Sequence, residues 1–137
     1  MNNITLAESY LQKAKTRIKM IEFLMNEEDY SDVIREAQEA VELALKGMLR
    51  KIGVEPPKQH DVGYLLIEYK DKFSDEVKEA VDKLASISKW LRKEREFSFY
   101  GDIDFIPTLE YTEEDARKAI NDSKLVVNIA EKAISSQ

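Results

Sequence analysis

Apolar residues recur along this chain in alternating steps of three and four, the spacing of one face of an α-helix. Between Leu6 and about Met25 the stripe is Ala7, Leu11, Ala14, Ile18, Ile21 and Met25. The polar run NEEDYS interrupts it, and Ser31 stands where its hydroxyl can cap a second helix by accepting from an exposed amide. This second helix, roughly residues 32–52, carries Val33, Ala37, Ala40, Ala44, Met48 and Ile52, widened by Ile34, Val41, Leu45 and Leu49. Its many alanines permit close approach by a neighbour. Gly53 ends it, because glycine takes the left-handed C′ conformation readily, and Pro56-Pro57 prevents a restart. Val62, Leu65, Leu66, Tyr69 and Phe73 predict a third, shorter helix with His60 or Asp61 at its start. Ser74 caps a fourth, and Asp75 and Glu76 fall in its first turn, where the helix dipole favours anions. The stripe of this helix is Val77, Val81, Leu84, Ser88, Leu91 and then Arg95. The segment GDIDFIPTLEY is too rich in Gly, Asp and Pro to be helical. Thr112 with Asp115 three residues on resembles a capping box for a final helix bearing Ala116, Ile120, Ser123, Val127, Ala130 and Ile134.

No stretch alternates with the period of a strand, and neither internal repeats nor linkers divide the chain. The pattern predicts an all-α fold spanning residues 1–137 as one domain. Four long helices and one shorter helix pack most simply as an up-and-down antiparallel bundle. The connection around Gly101 is the longest, and by its length the one that looks functional.

Composition narrows the chemistry. The 137 residues contain no cysteine and a single histidine, which excludes disulfides, thiolate-bound metals and thiol catalysis and argues against a His-rich metal site or a Ser-His-Asp triad. No metal and no cofactor is expected. No apolar run approaches the roughly 18 residues of a membrane span, so a soluble, cytoplasmic protein is expected. A formal charge of −6 disfavours a general nucleic-acid coat or a polybasic membrane binder. Locally, Lys13, Lys15, Arg17 and Lys19 face no acid within their own stretch, while Glu27, Glu28, Asp29, Asp32, Glu36 and Glu39 form an opposing block. Both read mainly as solvated helix faces, with docking of nucleic acid or a partner as the sharper alternative.

Arg95 is the anomaly, because an unpaired buried charge costs about several kcal/mol. Either it lies past the end of the bundle or pairs with an acid such as Asp102 or Asp104, or it grips a phosphate, with Arg92 and Lys93 adding positive potential. Trp90 and Phe97, seven residues apart, share a second apolar face that a further helix or a dimer partner must cover. His60 reads as a hydrogen-bonding anchor of its loop. Glu94 and Glu96 point apart on a helix, so no carboxylate pair for acid–base work is expected.

The run from Ile34 to Asp61, IREAQEAVELALKGMLRKIGVEPPKQHD, resembles the HEPN family (higher eukaryotes and prokaryotes nucleotide-binding). The carrying features are the alanine-rich helix with Glu39, Glu42 and Lys46 among its apolar positions, the exit at Gly53, the prolines, and His60-Asp61 before an aliphatic helix. The second half agrees through Arg92 and Arg95, then Tyr100-Gly101-Asp102, Pro107, Tyr111 and the start of a helix at Asp115-Ala116. The resemblance implies a homodimer in which polar residues near the end of the fourth helix of both subunits line a shared cleft, with Trp90 and Phe97 at the interface. It also implies a frequent partner, a minimal nucleotidyltransferase, in toxin–antitoxin-like pairs. Members that cut RNA carry an arginine and a histidine separated by four to six residues. Here Arg95 is followed at that spacing by Tyr100, Gly101 and Asp102, and Arg92 by Phe97, Ser98 and Phe99. A phenol with an ordinary pKa of about 10 is a poor general base. The resemblance therefore favours binding of nucleotide or RNA phosphate at Arg92, Lys93, Arg95 and Tyr100. A metal-independent ribonuclease toxin with a degenerate Arg-x4-Tyr site, Arg95 and Tyr100, is the alternative, and a purely structural helix-interaction module is the third.

Overall fold

A computed structural model describes residues 5–58 and 62–135. The elements are α1 (Leu6–Asn26), α2 (Tyr30–Lys51), α3 (Val62–Glu68), a 3-10 turn at Lys70–Lys72, α4 (Asp75–Phe99), α5 (Pro107–Glu110) and α6 (Glu113–Ser135). Among the described residues there is no strand, and one isolated bridge joins Asp102 to Phe105. The fold is an all-α bundle of four long helices plus short ones, as the periodicity predicts.

Cross-helix contacts give the directions. Ala7 approaches Gly47 while Arg17 meets Glu36, so α1 and α2 run antiparallel. Arg95 meets Glu39 and Arg92 approaches Glu42, so α4 is antiparallel to α2. Trp90 bonds Asp122 and Lys132 bonds Glu76, so α6 returns antiparallel to α4. The second helix is the centre of the bundle, packing on α1, α3, α4 and α6. This is why its buried positions extend from Val33, Ile34, Ala37 and Ala40 around to Val41, Ala44, Leu45, Met48 and Leu49 rather than forming one narrow stripe. Gly47 is the close-approach point: a Cβ there would stand 2.9 Å from Cδ1 of Ile134 and 3.2 Å from the Ala7 carbonyl oxygen.

The N-cap of α2 is Asp29, whose side chain accepts from the Asp32 amide, and the helix begins at Tyr30. Ser31 is not the cap; it lies inside the first turn, buried, and donates its hydroxyl to Asp29 Oδ1 at 3.2 Å. A carboxylate is the stronger acceptor and took the role. At the other end Gly53 adopts a φ of 83°, and the Val54 amide reaches back to the Leu49 carbonyl, closing the helix as its sequence implies. The Thr112–Asp115 box forms in both directions, Thr112 N–H to Asp115 Oδ2 at 2.9 Å and Asp115 N–H to Thr112 Oγ1 at 3.2 Å. The segment 101–111 is not wholly irregular: Pro107, at the first position where its missing N–H costs nothing, opens the single turn α5. The third helix is shorter than its apolar spacing suggests, tightening into the 3-10 turn before Phe73.

Charges on α1 are also better matched than the linear sequence implies. Lys15 bonds Glu131 of α6 at 2.8 Å and Arg17 lies 3.6 Å from Glu36 of α2, so two of the four bases do face acids.

Candidate phosphate-binding site

The predicted stripe of α4 is buried from Val77 through Val81, Leu84, Ser88 and Leu91. Beyond Leu91 the buried line passes to Ser98 rather than to Arg95. Seven residues is two turns less about 20°, so Leu84, Leu91 and Ser98 stay in register; Arg95, about 40° from Leu91, keeps to the same broad face, and its long side chain carries the guanidinium out to Glu39 and solvent. Arg95 is therefore not a buried charge. Its side chain remains 45% exposed and its Nη2 lies 2.6 Å from Oε1 of Glu39 on α2. The acids that flank it in sequence, Asp102 and Asp104, are not its partner. Asp102 Oδ1 instead accepts from the Asp104 amide at 2.9 Å, shaping the following turn.

One turn back along α4, Nη1 of Arg92 stands 4.0 Å from Oε1 of Glu42, whose Oε2 is 4.0 Å from Nζ of Lys46. Two acids three apart on α2 thus face two arginines three apart on α4. This complementarity was available in the sequence as matching spacings. Reading each helix alone missed Glu39 and Glu42 as the counter-charges. Lys93 does not join this flank: one residue from Arg92 on a helix is a turn of about 100°, and its side chain is exposed on another face.

Tyr100 stands immediately after the last residue of α4 and is 76% exposed. Gly101 follows with a φ of 66°, and a Cβ there would run into the Phe105 carbonyl oxygen and the Pro107 ring. This turn lets Asp102 and Phe105 exchange backbone bonds of 2.9 and 3.1 Å. It sets the Phe105 ring edge-on to both Phe97 and Tyr111, each at 5.6 Å between centroids. Tyr111 in turn donates its hydroxyl to Glu94 Oε2 at 2.8 Å. Burial, and then the Glu94 carboxylate, push the Tyr111 phenol well above its ordinary pKa.

The second apolar face of α4 divides. The final helix covers Trp90: the indole N–H donates to Asp122 Oδ2 at 2.9 Å, and the Lys118 ammonium sits 3.8 Å from the ring centroid. Phe97 remains 46% exposed. Among the described residues no group of three His, Cys, Asp or Glu side chains could hold a metal ion. His60 and Asp61 lie outside the described residues.

The HEPN domain model matches residues 7–133, so this chain belongs to the HEPN family. It is also similar to a protein of Methanocaldococcus jannaschii that bears the name "Putative toxin MJ1304", at 25% identity over 134 residues, covering 93% of this chain and 87% of the relative. No described helix is long and apolar enough to cross a membrane.

Proposed function

We propose that this HEPN protein binds the phosphate of a nucleotide or of RNA at the Arg92–Arg95 flank, with Tyr100 beside it, and acts in the cytoplasm as one half of a two-component, toxin–antitoxin-like pair with a minimal nucleotidyltransferase. The observation that carries this reading is the state of Arg95. It is held in place by one acid yet is nearly half open to solvent. A guanidinium keeps its charge at all relevant pH and offers five donors, so an incoming phosphate oxygen can share or displace Glu39. Tyr100, as a phenol, can donate to a phosphate or stack on a base. Lys93, on another face, contributes to the field rather than to the contact.

Homodimerisation belongs to the same reading. Phe97, Tyr100 and Ile103 are exposed together at the end of α4 and in the turn after it, an apolar surface of the kind a partner covers. Phe97 belongs to this surface, while Trp90 is largely occupied by α6.

Calorimetry and thermal shift with ATP, GTP and short RNAs, comparing wild type with Arg95→Ala, test the proposal. Saturable binding that Arg95→Ala abolishes is expected; no binding, or binding indifferent to the substitution, overturns it.

The name of the archaeal relative favours a second reading, a ribonuclease toxin in which Arg95 and Tyr100 act as a degenerate pair. Cleavage of total RNA in the presence of EDTA, absent from an Arg95→Ala/Tyr100→Phe control, would establish it. Co-purification of a nucleotidyltransferase-like protein without any nucleotide effect would instead favour a helix-interaction module built on the apolar surface at Phe97.

A further inference from the structure

A different flank of α4 from that of the arginines borders a cleft of about 390 Å³, floored by Ile34 of α2 and closed by the 105–111 segment and the first turns of α6. Its walls are aromatic, Trp90, Phe105 and Tyr111, and its polar groups are the carboxylates of Glu94, Glu110 and Asp115. Glu94 accepts from the Tyr111 hydroxyl and Asp115 from the Thr112 amide. Both donors are neutral, so these bonds fix the carboxylates without cancelling their charge. The chain itself shows what this surface accommodates. The Lys118 ammonium rests on the Trp90 face, 3.8 Å from its centroid and 3.0 Å from Asp122 Oδ2. One resident cation meets a cleft carrying three acids.

We propose that this cleft receives a guanidinium or alkylammonium group on an aliphatic stem: the side chain of an arginine or lysine presented by another polypeptide. Aromatic faces attract a cation through their quadrupoles, and the attraction strengthens in a partly desolvated pocket. Glu94 and Glu110 meet the charge, while Phe105 and Tyr111 pack on the methylenes. The cleft volume falls in the range of about 300–1,000 Å³ typical of pockets that enclose a small group. An anionic ligand is repelled by the three carboxylates, which separates this cleft from the arginine flank. A polypeptide suits it better than a free amine, because the same segment exposes Ile106 and Leu109 beside Glu110, apolar surface that residues neighbouring the inserted side chain would cover.

Trp90 is the only tryptophan in the chain and forms a wall of the cleft, so its fluorescence reports occupancy directly. The experiment titrates the full chain with an arginine-centred peptide flanked by leucines, the same peptide with citrulline in place of arginine, and free N-acetyl-arginine amide. Saturable change with the arginine peptide is expected, weaker by about tenfold or more for citrulline and for the free amide. Glu94→Gln with Glu110→Gln weakens the arginine peptide by a similar factor. Lys118→Met removes the resident competitor and tightens binding about three- to tenfold, a gain that a merely structural lysine would not produce. Arg95→Ala leaves the titration unchanged, which keeps this result independent of the phosphate site. A flat titration, a citrulline peptide that matches the arginine peptide, or Lys118→Met without a gain overturns the proposal. A free amide as tight as the peptide overturns the assignment to a polypeptide. The citrulline comparison uses unaltered protein and so stands even if a variant folds poorly.

Discussion

Nη2 of Arg95 on α4 lies 2.6 Å from Oε1 of Glu39 on α2, and this pair both orients the candidate phosphate ligand and competes for it. A half-exposed ion pair contributes only about 0–1 kcal/mol to stability, since solvent screens it. Glu39→Gln is therefore expected to lower stability by less than about 1 kcal/mol while raising the affinity for phosphate or RNA several-fold. Denaturant titration and filter binding of a short RNA, run on the same preparations, check the two halves. A large stability loss, or weakened binding, would contradict the role given to Glu39.

Tyr100→His restores an arginine and a histidine with four residues between them. Histidine supplies a base that titrates near neutral pH where the phenol does not. Metal-independent RNA cleavage is expected to rise by about tenfold or more over wild type in EDTA, in line with what a positioned general base contributes. Gel analysis of a labelled RNA measures it, with Arg95→Ala/Tyr100→His as the control that should lose the gain.

Gly47 lies where α1 and α6 press against α2. A larger side chain there meets the Ile134 side chain and the Ala7 backbone. Gly47→Leu is expected to cost about 1–3 kcal/mol by overpacking. Urea denaturation should show a lower midpoint, whereas a neutral result would mean that α1 yields easily.

The Asp32 carboxyl is pushed up to about 6, first by burial and then by its hydrogen bond with Asp29. The sign follows from proton counts. Between the ordinary carboxylate range near 4 and about 6 the folded state holds a proton that the unfolded state has released, so stability falls as pH rises through this window. Above it the destabilisation is fully present. Asp32→Asn should flatten that part of the profile and gain about 1 kcal/mol at neutral pH, the figure discounted for the solvent that still reaches this partly buried group. Urea midpoints measured from pH 4 to 8 on both proteins provide the comparison.

Tyr111 is also a raised acid, so in alkali its folded form keeps a proton that the unfolded chain has lost. Stability should decline above about pH 10 on this account. One of the six tyrosines should resist ionisation in a spectrophotometric titration until the chain unfolds. Tyr111→Phe should remove that late step and, by deleting the bond to Glu94, cost about 1 kcal/mol.

The helices, the Gly53 exit and the Thr112–Asp115 box were legible because each depends on residues within one or two turns of one another. Ser31 has the composition of a cap, but Asp29, two residues earlier, offers the better acceptor. The single turn at Pro107 is hidden in the sequence because the composition of its segment outweighs the start signal proline gives. The arginine flank was legible in part. Arg92 and Arg95 stood out, but their acids lie on another helix, and no pattern within α4 names them.

By itself, the sequence determined an all-α bundle, since hydrophobic period and capping chemistry are local properties; its motifs resembled the HEPN family, and it singled out Arg95 as out of place. Only the tertiary structure decided what Arg95 is. The crossing of α4 on α2 turns the line of burial from Leu91 to Ser98, leaves the guanidinium in solvent against Glu39, and hands Trp90 to α6. Such pairings depend on distances through space, which periodicity along one helix does not contain.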